Sequence, residues 1–112
     1  MAKIVCRNPA TGQVIRELQC TDPQELPAMF ARAREAQERW ASLPTKKRSR
    51  TLLNLREAII NHVDDLSELI SQENGKPRFE AMSNELLPSV DLLTYFARKS
   101  PALLRDQRII LS

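Results

Sequence analysis

Glycine is nearly missing from this chain, with two in 112 residues, Gly12 and Gly75. Glycine-rich phosphate cradles need several, because their backbones must bend tightly against a bound phosphate. No recognisable nucleotide-binding loop is therefore present. Soft metal ligands are equally sparse. Cys6, Cys20 and His62 are the only ones and lie far apart, which is poor material for a structural zinc site. Two cysteines without a secretory context read as free thiols. The start, Met1-Ala2-Lys3-Ile4-Val5, has no long apolar core of the kind a secretory signal carries. No apolar run approaches the roughly 20 residues that cross a bilayer. A cytoplasmic setting is the expectation. Only five aromatics occur, and none interleaves with basic residues as in single-strand binders.

What remains is a helix-forming, soluble-type composition, 42% hydrophobic and 28% charged, with a net charge of +3. The length limits the chain to one domain at most. Lys46, Lys47, Arg48 and Arg50 cluster, which raises a nucleic-acid alternative. The simpler reading is a solvated first turn of a helix. Asp64, Asp65 and Glu68 likewise read as a solvated first turn, not as paired catalytic carboxylates. His62 reads as a half-exposed boundary residue with no nucleophile at a recognisable spacing. Trp40, Tyr95 and Phe96 read as core packing at helix ends.

Residues 3–7 and 13–19 predict two short strands. Asn8, Pro9 and Gly12 between them have the chemistry of a hairpin or sharp corner. Helix signals start at Asp22-Pro23, with Glu25 completing a capping-box pattern and Pro27 moving the regular helix toward Leu26. Leu26, Met29, Phe30, Ala33, Ala36 and Trp40 form one stripe. Leu43-Pro44 ends that helix and Thr45 is expected to cap the next. A second stripe runs through Leu52, Leu55, Ile59, Val63, Leu66 and Ile70. Basic residues at its start and acidic ones toward its end oppose the helix macrodipole, so a break is expected near Asn61-His62. Asn74-Gly75 reads as a left-handed helix stop, with Pro77 forbidding continuation. A third stripe follows through Phe79, Met82, Leu86, Val90, Leu93 and Ala97, with Pro88 predicting a kink or restart near Leu87. Ser100-Pro101 is expected to end it. Arg108-Ile109-Ile110-Leu111-Ser112 reads as the start of a strand that continues elsewhere.

The expected organisation is therefore a β-hairpin over 1–20 and a helical layer over 21–100. Its helices fall at about 23–41, 45–61, 64–74 and 78–99, and 101–112 forms a truncated linker or strand start. The fold class is mainly α with a short N-terminal β-hairpin, in one incomplete domain. A free-standing helical interaction or nucleic-acid-binding module is the alternative to a piece of a larger enzyme.

Five segments in order resemble the amino-terminal stretch of the aldehyde dehydrogenases. Asn8-Pro9-Ala10-Thr11-Gly12-Gln13-Val14-Ile15 is similar to that family's opening hairpin. The run Ala31-Arg32-Ala33-Arg34-Glu35-Ala36-Gln37-Glu38-Arg39-Trp40 is similar to its first helix. Leu43-Pro44 with Arg48, Leu52, Leu53 and Leu55 resembles its second. Glu73-Asn74-Gly75-Lys76-Pro77 resembles its turn, and Leu93-Thr94-Tyr95-Phe96-Ala97 its usual helix ending. The resemblance implies that the chain is part of an α/β, Rossmann-like cofactor-binding domain. The enzyme would use NAD or NADP to oxidise an aldehyde to a carboxylate, as a dimer or tetramer. The family's cysteine nucleophile, glutamate base, oxyanion-holding asparagine and cofactor loops all come later than residue 112. Cys6 and Cys20 match the hairpin and not the nucleophile. The resemblance thus implies no catalytic or cofactor-binding residue here, no bound cofactor and no activity for this chain alone. Its partners would be the remainder of the enzyme and other copies met through exposed apolar faces. One family feature falls within reach: a structural monovalent cation, for which Glu73 would be the side-chain ligand opposite the backbone around Cys6 and Arg7. The family often has aspartate at that position.

Overall fold

In a computed structural model, residues 2–109 are described. Strands β1 (Lys3–Arg7) and β2 (Val14–Gln19) form an antiparallel hairpin. Lys3 faces Gln19 and Cys6 faces Arg16, but Arg7 faces Val14, so Ile15 is an extra residue in a bulge. The connecting loop is built by Asn8. Its side-chain oxygen accepts from the Ala10 N–H at 2.8 Å, and its carbonyl accepts from the Gly12 N–H at 2.7 Å. Gly12 sits at φ +74°, where a Cβ is disfavoured.

A 3-10 turn (Pro23–Glu25) leads into α1 (Leu26–Ser42). Asp22 caps that turn, but its carboxylate takes the Gln24 N–H at 2.9 Å, not the Glu25 N–H that a capping box would use. The cause is Pro27, which keeps the opening turn in 3-10 geometry and delays the α-helix to Leu26. Alanines throughout α1 and the Arg39–Glu35 pair one turn apart favour the helix locally.

Helix α2 spans Thr45–Asn61 and α3 spans Val63–Asn74. Pro44, not Thr45, occupies the cap position of α2. Thr45 is already helical, and its hydroxyl accepts from Arg48 Nη2 at 3.4 Å. His62 lies between α2 and α3 at φ −114°, ψ 20°, with its N–H shared between the Ala58 and Ile59 carbonyls. The break lets Asp64 and Asp65 open a new helix, where their charge suits the dipole. Gly75, at φ +71°, closes α3, and its N–H bonds to Ser71.

After Pro77 the backbone makes a short turn α4 (Arg78–Glu80), a π-helical stretch (Ala81–Leu86) and α5 (Leu87–Leu103). The wide turn is the answer to Pro88. Proline offers no N–H to the Asn84 carbonyl, and its ring would collide there in a regular α-helix. With the π-bulge, the Leu87 N–H reaches back to the Met82 carbonyl instead. Ser100-Pro101 does not end the helix as expected. α5 continues to Leu103, because a proline in the last turn costs one donor only, and Ser100 Oγ supplies its own bond to the Phe96 carbonyl at 2.5 Å. Beyond it, Arg108 and Ile109 belong to no strand. Ile110, Leu111 and Ser112, the rest of the expected strand start, lie outside the described residues.

The observed class is mainly helical with one N-terminal hairpin. α2 lies along α5, where Arg56 Nη1 donates to Thr94 Oγ1 at 3.3 Å. α3 packs on the π stretch and touches β1. Contacts of α1 are mainly with the 3-10 turn before it. Among the described residues few are buried, and most of those are small: Ser49, Ser67, Ala81 and Ala97, with Leu86 the largest. Small residues let helix backbones approach closely, and around them the stripe residues Leu52, Ile59, Val63, Leu66, Val90 and Leu93 are half-buried.

The molecule is correspondingly open. Its Cα radius of gyration is 19.5 Å, with extents of 65 × 40 × 29 Å. A compact chain of this length has a radius of about 13 Å. Its accessible surface of 9399 Å² is roughly half as much again as the value expected for a compact monomer of this mass.

Candidate functional site

The two glycine turns, far apart in sequence, meet in space. A Cβ built on Gly75 would stand 2.8 Å from Pro9 Cγ and 3.4 Å from the Ala10 nitrogen. The end of α3 therefore rests directly on the hairpin loop. Ser71 Oγ donates to the Lys76 carbonyl at 2.7 Å and ties off the turn. Lys76 Nζ then reaches Glu85 Oε1 at 2.5 Å on the π stretch. A shallow cleft of about 330 Å³ lies over the junction, with Asn8, Ser71, Gly75 and Lys76 among its walls.

A second bracket holds the start of α3. Arg78 Nε donates to Ser67 Oγ at 2.9 Å, and Nη2 donates to Asp64 Oδ1 at 2.7 Å, with Glu68 3.9 Å away. Ser67 Oγ in turn donates to the Asp64 carbonyl. Asp64 and Glu68 are thus exposed yet engaged by one guanidinium. Nothing in the local sequence announces this, because Arg78 lies on the far side of the Gly75 turn.

Glu73 sits exposed on the last turn of α3, with no hydrogen bond or ion pair among the described residues. Lys76, its nearest basic neighbour in sequence, is taken by Glu85. Cys6 and Cys20 are half-buried free thiols at the hairpin. His62 is more open than expected, exposed at the α2–α3 break with Nδ1 3.9 Å from Asp65. Among the described residues no three His, Cys, Asp or Glu side chains gather as a metal site. The basic cluster divides: Lys46, Lys47 and Arg50 are exposed, but Arg48 is half-buried. Tyr95 and Phe96 stack edge to face at 5.3 Å yet stay largely exposed, so they are not core.

What the molecule offers in quantity is uncovered apolar surface. Phe30 is 70% and Phe79 78% exposed, and Leu26, Met29, Leu55, Ile60, Leu87 and Leu92 are also open. A nearly all-apolar cleft of about 340 Å³ runs between Ile59, Val63, Met82 and Val90. Such faces suit the burial of another polypeptide, since each large side chain covered contributes roughly 1.5–3 kcal/mol. No helix among the described residues is long and apolar enough to cross a membrane.

The chain resembles known proteins along nearly its whole length. The chain is 29% identical over 109 residues to 4,4'-diapolycopene aldehyde oxidase of Methylomonas sp, covering 97% of this chain and 21% of that protein. It is 32% identical over 105 residues to malonate-semialdehyde dehydrogenase 3 of Geobacillus kaustophilus (strain HTA426), covering 94% of this chain and 21% of the relative. It is 31% identical over 102 residues to malonate-semialdehyde dehydrogenase 2 of Geobacillus thermodenitrificans (strain NG80-2), covering 91% and 21%. The chain spans about a fifth of the length of these curated relatives. The model of the aldehyde dehydrogenase family matches residues 2–111. On a match of that extent, the chain belongs to the aldehyde dehydrogenase family.

Proposed function

We propose that this chain is the amino-terminal segment of a cytosolic, oligomeric, NAD- or NADP-dependent aldehyde dehydrogenase that oxidises an aldehyde to a carboxylate. In that enzyme the segment supplies no reacting group. It lays its helices around the cofactor domain and builds part of the scaffold that holds the reacting parts. The observation that carries this reading is the open shape: 19.5 Å in radius, with large apolar side chains bare along α1, α2 and α5. A free-standing module would have to keep these faces in water, and monomeric proteins rarely expose such patches without a partner.

Glu73 is proposed as the side-chain ligand of a structural monovalent cation. Its carboxylate fits that role, being on the helix that touches β1 and not committed to any cation of the chain among the described residues. The backbone near Cys6 and Arg7 would complete one side, and no reacting step involves the ion.

The test is a pair of assays. The full-length polypeptide should form NADH or NADPH from an aldehyde, and the 112-residue chain alone should form none with any aldehyde. Reduced cofactor made by the pure chain would overturn the reading. For Glu73, the heat stability of the full-length protein should drop when potassium and sodium are replaced by a bulky organic cation. Glu73→Ala should abolish that dependence, and a variant that keeps it would remove Glu73 from the role.

A further inference from the structure

Arg48 is the basic side chain whose surroundings are least resolved by the fold. Lys3, Arg39, Arg56, Lys76 and Arg78 each have a carboxylate within ion-pair distance. Arg48 is half-buried and has none among the described residues. Its Nη2 makes one long bond to Thr45 Oγ1, and its Nε, buried, makes none. Beside it, Ser49 is 7% exposed, and its buried Oγ also has no partner among the described residues. Both residues line a cleft of about 270 Å³ whose other walls include Trp40, Leu52, Ser100 and Leu104. The guanidinium is only half-buried, but an N–H of it shut off from water without an acceptor is still costly. A hydroxyl without a bond in an apolar wall adds a second cost of the same kind.

Resting on the reading given under Proposed function, we infer that this cleft is a docking subsite for one carboxylate side chain of the remaining polypeptide of the same enzyme. The occupant would accept from the Arg48 guanidinium and from the Ser49 hydroxyl, while Trp40, Leu52 and Leu104 close around its aliphatic stem. Three observations select a carboxylate over a neutral acceptor. The guanidinium carries a full charge, Arg48 and Ser49 line the same cleft with donors unpartnered among the described residues, and Lys46, Lys47 and Arg50 stand exposed nearby on α2. Bidentate acceptance by a carboxylate matches guanidinium geometry. The family's helix-forming pattern around Arg48 thereby gains a specific purpose, fixing α2 to the body it packs against.

The experiment uses the full-length enzyme with Arg48→Lys and a water-soluble carbodiimide. The reagent activates a carboxylate, the introduced amine displaces the urea, and an amide bond joins the two peptides. Mass spectrometry should find position 48 joined to an aspartate or glutamate outside residues 1–112, and no such link in Arg48→Gln. The Lys76–Glu85 pair, 2.5 Å apart, is the internal control that the coupling worked. A link from position 48 to a carboxylate within residues 1–112, of the same or a second copy, overturns the proposal. So does no link when the control pair is joined. Should Arg48→Lys fail to fold, Ser49→Ala decides. Losing a bond across the interface should shorten the half-life of activity on heating by about tenfold. A purely internal hydroxyl without a partner predicts no shortening, and that result rejects the subsite. An unlinked but active dehydrogenase rejects the subsite alone, while a full-length protein without dehydrogenase activity rejects the underlying reading.

Discussion

Gly75→Ala should melt far below the parent chain, with a loss of about 2–4 kcal/mol, whereas Gly12→Ala should lose only about 1–2 kcal/mol. Both glycines occupy the left-handed region, so both pay the backbone term for an added Cβ. They differ in what the Cβ would touch. At Gly12 nothing lies within 4 Å. At Gly75 the new atom would overlap Pro9 Cγ at 2.8 Å and crowd the backbone nitrogen of Ala10. A proline ring cannot swing aside like a long side chain, so the loop and α3 must separate. For a domain this small each kcal/mol shifts Tm by roughly 4–8 °C. Helical circular dichroism against temperature reads the difference, and equal losses for the two variants would mean that the loop and α3 do not support one another.

Phe30→Asp should leave the isolated chain almost unchanged and severely weaken the full-length enzyme. In the chain the ring is 70% exposed on α1, and exposed substitutions usually stay within about 0.5 kcal/mol. Under a covering partner the same change loses the ring's burial, about 2–3 kcal/mol, and strands a carboxylate in an apolar contact. The combined effect on the full-length enzyme should exceed about 4 kcal/mol and move its unfolding to far lower denaturant. Denaturant midpoints of both forms give the comparison. A similar, small change in both would show that the α1 face meets nothing in the larger protein.

Local chemistry was legible wherever one residue decides a backbone conformation. Asn8 and Gly12 in the hairpin loop, Gly75 as the left-handed stop and the charge reversal at His62 are cases of this kind. The prolines were legible in part, because the outcome depends on what the chain can exchange for a lost bond. The restart expected near Leu87 is there, though a π-bulge makes it, while Pro101 is absorbed into the last turn of α5. The stripes located burial in part. Leu86 and Ala97 are buried and Ile59, Val63 and Leu66 half-buried as stripe residues, but Leu55 and Phe79 stand exposed, and the buried Ser49, Ser67 and Ala81 lie off the stripes. The Arg78 bracket and the lack of a carboxylate beside Arg48 among the described residues depend on contacts across turns, which periodicity does not encode. The family resemblance pointed to an acidic residue at Glu73, but that it has no cation beside it among the described residues depends on Lys76 pairing with Glu85, a contact across the Gly75 turn.

Small-angle X-ray scattering from the purified 112-residue chain tests most directly whether these helices await a covering body. The curve yields mass and radius together. The account predicts either a monomer near 19.5 Å in radius or heavier particles in which copies cover one another's bare faces. A lone monomer of about 13 Å, the size of a self-contained domain, would contradict it.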